Sequence, residues 1–389
     1  MRLPALALAL PLLAAFAGAA DLGAQSSMFG VRGLGLPGRP MSPRALAMGG
    51  SYALFDGESP LNPAALGQIR HVTAGFVLTP ERRTWETPAG SRSLRETRFP
   101  HAFVLGPVPR SRFSLGLSLA SYADRDFRIA SADTVDIRGT PVEVLDTLES
   151  LGGMSEIRAA GAYATRGGFS LGGGFHLLTG SARLQARRSF ADTTFLPIQQ
   201  KAELSYHGIG FSLGALGKLG RALWVAGLAR SDGKASVELD STGLYDVDLP
   251  YTFGGGLLYQ PSARLQVAGH AIYRTWSGAN SDLQTQGAPG SRNSLEVAVG
   301  GEVARNPRRP YHFPIRVGFR YAELPFPVRA GGEPKEYAVS AGSGTRFARE
   351  FASVDVALER VWRSERDDLR ERAWLLTLGL AIRPYGPAR

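Results

Sequence analysis

From His71 to Ile382 the chain alternates, residue by residue, between large apolar side chains and small or charged ones. Phe113, Leu115, Leu117 and Leu119 alternate with Ser114, Gly116, Ser118 and Ala120; Trp374, Leu376, Leu378, Leu380 and Ile382 repeat the pattern near the end. A period of two is the signature of a strand with one face in apolar surroundings. Fourteen such strands are predicted, near 70–80, 97–106, 111–122, 156–166, 168–184, 201–217, 221–232, 245–259, 262–276, 291–304, 313–323, 335–346, 351–364 and 371–383. The opposite face is unusually small, mostly Gly, Ala and Ser with isolated charges, and the chain holds 48 glycines and only 20% charged residues. In a soluble sandwich the apolar faces pack on one another and the polar faces meet water. In a membrane barrel the apolar face meets lipid, and the lumen holds small and paired charged residues.

The connections favour the second. Short turn signals, such as Gly106-Pro107-Val108-Pro109, Arg166-Gly167 and Gln260-Pro261, alternate with longer polar segments at 81–96, 123–155, 185–200, 233–244, 277–290, 324–334 and 365–370. Short turns on one rim and long loops on the other describe an up-and-down outer-membrane barrel, and closure removes the sheet edges that lipid cannot hydrogen-bond. The fold class expected is therefore all-β, a 14-stranded up-and-down transmembrane β-barrel with a short N-terminal plug in its lumen. A short amphipathic helix is expected at 141–151, from Val142, Val144, Leu145 and Leu148. Aromatics including Tyr122, Tyr206, Trp224, Tyr259, Tyr273, Trp276, Trp362 and Trp374 fall near strand ends, as interfacial girdles require.

The plug is read from residues 42–68. Gly49-Gly50, Gly57, Pro60 and Pro63 break both a strand and a helix, yet the segment is mildly apolar and poor in charge. An irregular half-apolar stretch needs walls to satisfy its backbone groups. Gly49 and Gly50 are candidates for its tight backbone, and Asn62, Pro63 and Ala64 for its turn. Residues 1–24 read as a secretory signal, with Arg2, an apolar core from Leu3 to Phe16 and a small-residue end, cut near Ala20 or Ala24. Residues 25–68 are then lead and plug, and 69–389 the barrel.

Glu296 and Glu302, Arg316 and Arg320, and Asp355 and Glu359 fall on the small face of neighbouring strands, which predicts a lumenal ion-pair network. The net charge of +10 comes from scattered arginines, without a basic run or an aromatic RNA-binding motif, and suits anionic lipid better than nucleic acid. The chain has no cysteine, and its six histidines lack metal-ligand spacing; no metal or cofactor is expected. Gly33-x-Gly35-x-x-Gly38 matches a dinucleotide fingerprint formally, but no strand precedes it and Pro37 interrupts it. Gly168-Phe-Ser170-Leu-Gly172 and Gly210-Phe-Ser212-Leu-Gly214 match the nucleophile-elbow pattern, yet each lies in a predicted strand, where the elbow needs a strand-to-helix turn. No catalytic residue is assigned on that basis. His176, His207 and His270 are the histidines that would face the lumen, and they leave a lipid hydrolase as a minor alternative.

The segment Arg44-Ala-Leu-Ala-Met48-Gly49-Gly50-Ser-Tyr52, followed by Asn62-Pro63-Ala64, resembles the N-terminal plug of the FadL-like outer-membrane long-chain fatty-acid transporter family, and also the related PorV/PorQ family proteins. Ala65 stands where the family usually has Gly, and only 123–155 offers a long outer loop. The resemblance implies a 14-stranded barrel in the bacterial outer membrane, surrounded by lipid. It also implies passive uptake of a hydrophobic, fatty-acid-like small molecule that leaves sideways through the wall when the plug shifts. The PorV side of it implies instead a non-transporting scaffold for secretion machinery or secreted proteins.

Overall fold

The computed structural model describes residues 27–384 except 88–89, 138, 193, 286–287 and 367–368; the expected signal segment and its cleavage site lie outside the described residues. In chain order the strands are β1 (Leu36–Pro37), β2 (Thr73–Thr87), β3 (Gly90–Pro107), β4 (Phe113–Asp124), β5 (Phe127–Ile137), β6 (Thr140–Ala164), β7 (Ser170–Phe190), β8 (Ile198–Leu219), β9 (Leu223–Ser231), β10 (Lys234–Leu239), β11 (Thr242–Asp248), β12 (Tyr251–Tyr259), β13 (Leu265–Arg274), β14 (Ser294–Val303), β15 (Ile315–Glu323), β16 (Lys335–Phe347), β17 (Ala352–Glu365) and β18 (Leu369–Ile382). Setting aside β1, β5, β10 and β11, fourteen strands pair antiparallel in sequence order, and β18 closes on β2 with Ile382 opposite Ala74 and Arg370 opposite Glu86. The wall is thus a closed 14-stranded antiparallel barrel.

Phe76, Val104, Leu117, Phe211, Leu257, Val299, Phe319 and Leu380 point outward and stay exposed, so a continuous apolar belt has no protein partner. A belt of this kind fits a bilayer. No helix among the described residues is long and apolar enough to cross a membrane, so any crossing is made by strands. Tyr259, Tyr273, Trp362 and Trp374 lie on the outer face, whereas Tyr206 and Trp276 turn inward into an apolar cluster beneath the long loops and Tyr122 and Trp224 pack inward against buried clusters, correcting the placement of these four in a girdle.

The long polar segments differ from the expectation. Residues 81–96 continue β2 and β3 as a paired hairpin, and 141–151 belong to β6, opposite β5 and β7, instead of forming a helix. The hydrophobic spacing of Val142, Val144, Leu145 and Leu148 suits either structure in a short window, and two flanking strands decide it by satisfying the backbone. Similarly β9 breaks at Asp232-Gly233 and resumes as β10, which stays on β8 and pairs with β11. The strands therefore stand well above the apolar belt.

The N-terminal residues from Ser27 run down the inside of the wall. Ser42 caps the one-turn helix Pro43–Ala47, accepting from the Ala45 amide at 3.1 Å, and Asn62 caps the 3-10 turn Pro63–Gln68, with each proline at the first helical position where its missing N–H is not needed. The small inward face of the wall exists to receive this segment. A Cβ at Gly379 would lie 2.7 Å from the Pro43 ring, and one at Gly318 or Gly300 would overlap the Met48 backbone. On the opposite wall, a Cβ at Gly172 would overlap Pro63, and one at Gly214 the Asn62 side chain.

Candidate functional site: the lumen, its charges and the gap in the wall

Gly49 has φ +72 and Gly50 φ +92, and Gly49 sits against the backbone of Phe319, where any side chain would collide. The Gly49 amide donates to Ser340 Oγ at 2.9 Å, and Ser340 Oγ donates to the Ala47 carbonyl at 3.1 Å, so one wall serine holds the turn from both sides. Asn62 is buried; its Nδ2 donates to the Leu54 carbonyl at 2.9 Å and its Oδ1 accepts from the Ala64 amide at 3.0 Å. Pro63 and Ala64 lie against β7, where Ser170 Oγ donates to the Ala64 carbonyl at 2.8 Å. Asp56 ties the two halves of the segment, accepting from Ser42 Oγ at 2.5 Å and Ser59 Oγ at 2.7 Å.

The six charged residues singled out in the sequence all point into the lumen, but they do not make one ladder. Arg316 bridges Glu302 at 2.6 Å and Asp355 at 2.5 Å, and Glu302 also takes two hydrogen bonds from Arg44 of the N-terminal segment, at 2.8 and 3.0 Å. Glu359 pairs with Arg39 at 3.1 Å. Glu296 meets His270 at 3.3 Å and Arg274 at 3.4 Å. Arg320 turns to Glu336, which Arg363 also contacts, and Arg363 continues to Glu371 at 2.5 Å. Arg39, Arg44, Glu336, Arg363 and Glu371 were not singled out in the sequence because two lie in the irregular N-terminal segment and three at the ends of predicted strands, away from the clearest alternation. The N-terminal segment is thus held by charge as well as shape, through Arg39 on Glu359 and Arg44 on Glu302.

The wall is interrupted at one place. β3 and β4 pair only from His101 opposite Ala120 to Pro107 opposite Ser114. Above that, β4 turns its edge to the N-terminal segment, with Leu36 opposite Asp124, Pro37 opposite Ala123, and the Gly38 amide donating to the Tyr122 carbonyl at 2.8 Å. Gly35 and Gly38 permit this approach, since a Cβ on either would overlap the β4 backbone. That is the structural use of the glycines resembling a dinucleotide fingerprint. Pro100 stands at the break in β3, where a residue without an N–H leaves no unpaired donor. A crevice of about 420 Å³ opens there between Arg98, Pro100, Ser121 and Asp124. The ion pair between Arg98 and Asp124 spans it. Phe99, 74% exposed, stands at its outer lip. Immediately below along β3 and β4 the outer face carries an apolar groove of about 540 Å³, lined by Phe76, Val104, Leu117 and Leu119.

Of the three histidines expected in the lumen, His176 and His270 are buried there, but His207 is exposed on the outer face of β8, one residue out of phase with the inward set. Among the described residues no cluster of His, Asp and Glu could hold a metal ion.

No protein-family model matches the chain, and no curated protein matches it. Solved structures do. A FadL homologue of Pseudomonas aeruginosa superposes with a TM-score of 0.62 at 14% identity, covering 90% of this chain and 100% of its own. The monoaromatic hydrocarbon channel CymD gives 0.56 at 15% identity, covering 89% and 98%. The toluene transporter TbuX of Ralstonia pickettii gives 0.54 at 14% identity, again over 89% and 98%. These identities establish likeness of fold, and the barrel described above is the fold of a FadL homologue and of hydrocarbon channels along nearly its whole length.

Proposed function

We propose that the protein is an outer-membrane barrel for passive uptake of hydrophobic small molecules, with residues 42–68 as the plug. The carrying observation is the stretch above His101 where β3 and β4 do not pair with each other, which leaves a crevice lined by lumenal residues just above an apolar groove on the outer face. A ligand that reaches the crevice has a lateral route into hydrocarbon and avoids crossing the lower lumen, which Met48, Leu54 and Ala64 fill without exposure. The likeness to channels named for toluene and monoaromatic hydrocarbons supports the hydrophobic class of cargo, and a fatty-acid-like ligand is one member of it. The scaffold reading, with secretion machinery or secreted proteins as partners, draws no support from these likenesses.

The test is uptake of labelled toluene and of a labelled long-chain fatty acid by cells whose outer membrane carries this barrel as its one hydrophobic channel. Uptake of either, with little leakage of small polar solutes, is expected. Deleting 42–68 is expected to raise that leakage while the barrel still resists detergent unfolding. Absence of uptake refutes the transport reading, and an unchanged leak from a folded deletion variant refutes the plug.

A further inference from the structure

One sequence motif is left over. Gly210-Phe-Ser212-Leu-Gly214 lies in β8, and its serine faces inward, 2% exposed. His176, on the neighbouring β7, is fully buried and places Nε2 2.8 Å from Ser212 Oγ. Its Nδ1 lies 2.8 Å from Glu156 Oε1 on β6. A carboxylate accepts only, so Nδ1 carries the proton and Nε2 is left as an acceptor for the serine hydroxyl. Glu156 is fixed in turn by Arg230, which reaches its other oxygen at 2.5 Å and is braced by Asp232 at 2.7 Å. Nucleophile, base and orienting acid thus stand in hydrogen-bonded order on three adjacent strands.

A fourth group completes the arrangement. Arg158, 3% exposed, leaves Nε and one terminal nitrogen without a hydrogen-bond partner among the described residues. A buried guanidinium with free donors is costly unless something accepts from it. A Cβ built on Gly174 would lie 2.7 Å from Ser212 Oγ and 3.1 Å from Arg158 Nε, so the bare backbone there is what lets the hydroxyl and the guanidinium both pack against it. The free donors of Arg158 thus stand against the same stretch of β7 as the nucleophile, where they suit a developing oxyanion. Glu156 and Arg230 also line a cavity of about 80 Å³ between plug and wall, which approaches the cluster.

We propose that Ser212, His176 and Glu156 form an acyl-transfer site in the barrel wall, acting on carboxylic esters that enter the lumen, with Arg158 holding the oxyanion. Ser212 Oγ bonds to the ester carbonyl carbon as its proton passes to His176 Nε2, and the carbonyl electron pair moves onto the oxygen facing Arg158. Collapse reforms the carbonyl and breaks the ester C–O bond, with the departing alcohol taking the proton from His176. Water, deprotonated by the same nitrogen, then bonds to the acyl carbon; the acyl–Oγ bond breaks, Ser212 Oγ takes back the proton from His176, and the carboxylic acid leaves. This activity is separate from transport and stands or falls on other evidence.

The other copy of the motif supplies an internal control. Ser170, in Gly168-Phe-Ser170-Leu-Gly172, is equally buried, but its hydroxyl donates to the Ala64 carbonyl and has no histidine. Detergent-purified full-length protein is incubated with a short-chain alkyl fluorophosphonate, and the serine adducts are read by peptide mass spectrometry. Folding of each variant is checked by the mobility of unheated samples. The expected result is an adduct on Ser212 at least tenfold above Ser170, lost in His176→Gln and in Gly174→Ala, whose methyl would collide with Ser212 Oγ. Acyl release from p-nitrophenyl butyrate is expected to rise with pH through the histidine range and to vanish in Ser212→Ala. A folded wild-type barrel without adduct, equal labelling of Ser170, or labelling that survives in folded His176→Gln each overturns the proposal.

Discussion

Replacing Asn62 by Ala is expected to release the plug while sparing the wall. Asn62 contributes a cap to the 3-10 turn through the Ala64 amide, and its loss costs about 1 kcal/mol, as for other N-caps. Its Nδ2 also satisfies the Leu54 carbonyl, which sits in a fully buried residue; an acceptor left unpaired there adds about 1–3 kcal/mol. The docked state then loses about 2–4 kcal/mol against the undocked one, a shift of roughly 30- to 700-fold in their ratio. No wall strand loses a ladder hydrogen bond, so the barrel itself is not weakened. The assay is limited trypsin digestion of the detergent-folded protein, followed at Arg44, whose side chain is held by Glu302 in the docked segment. Cleavage is expected to accelerate by at least an order of magnitude, with leakage of small solutes rising in parallel. Gly214→Ala approaches the same contact from the wall, placing a methyl on Asn62 Oδ1, and is expected to give the same phenotype. A cleavage rate unchanged in both variants, on barrels that keep their unheated mobility, refutes the account of how the segment is held.

Two further outcomes concern charge. Asp126 lies beyond the apolar belt, beside the crevice; burial, with the Asp124 carboxylate adding to it, raises its pKa to about 7, against the Gly152 amide that donates to it. A carboxyl with a folded pKa above its unfolded value binds the extra proton in the folded state, so stability here falls as pH rises from about 4 to 7 and stays lower above that. The thermal midpoint in detergent is expected to fall across that window, and Asp126→Asn to flatten that fall. Arg316→Met leaves Asp355 without its 2.5 Å partner and Glu302 with Arg44 and the Gln266 amide; breaking a buried pair of this kind costs about 3–5 kcal/mol. Its thermal midpoint in detergent is expected to fall, with part of the loss restored by adding Asp355→Asn; an unchanged midpoint refutes a structural role for the pair.

The wall was legible because lipid and lumen impose opposite demands on alternate residues. Phe113 to Leu119 and Trp374 to Ile382 announce both faces at once, and fourteen strands follow from counting such runs. Above the belt that contrast disappears. In the β5–β6 hairpin the buried positions are few among the described residues, namely Phe127, Val142, Val144 and Ser150, and the rest are mostly polar and exposed, so the segment resembles a loop. The gap at Pro100 depends on which neighbour takes the edge of β4, a choice made by Leu36 and Pro37 some ninety residues earlier, and local pattern cannot report it. The cluster around Ser212 was hidden for a similar reason. Glu156, His176 and Ser212 become neighbours only through the register that sets His176 opposite Arg158 and Gly210. Nothing in Gly-Phe-Ser-Leu-Gly separates the copy that meets a histidine from the one that meets a carbonyl.

The glycine sockets carry a consequence for assembly. Pro63 and Asn62 seat on Gly172 and Gly214, while Pro43 and Met48 seat on Gly379, Gly318 and Gly300, on strands well separated in the chain. Both sets of seats face one another at the right separation only after β18 has zipped to β2. The first part of the chain to be synthesised is therefore the last to settle. It also measures the ring: a cylinder one hairpin too wide or too narrow would offer one set of seats and withhold the other.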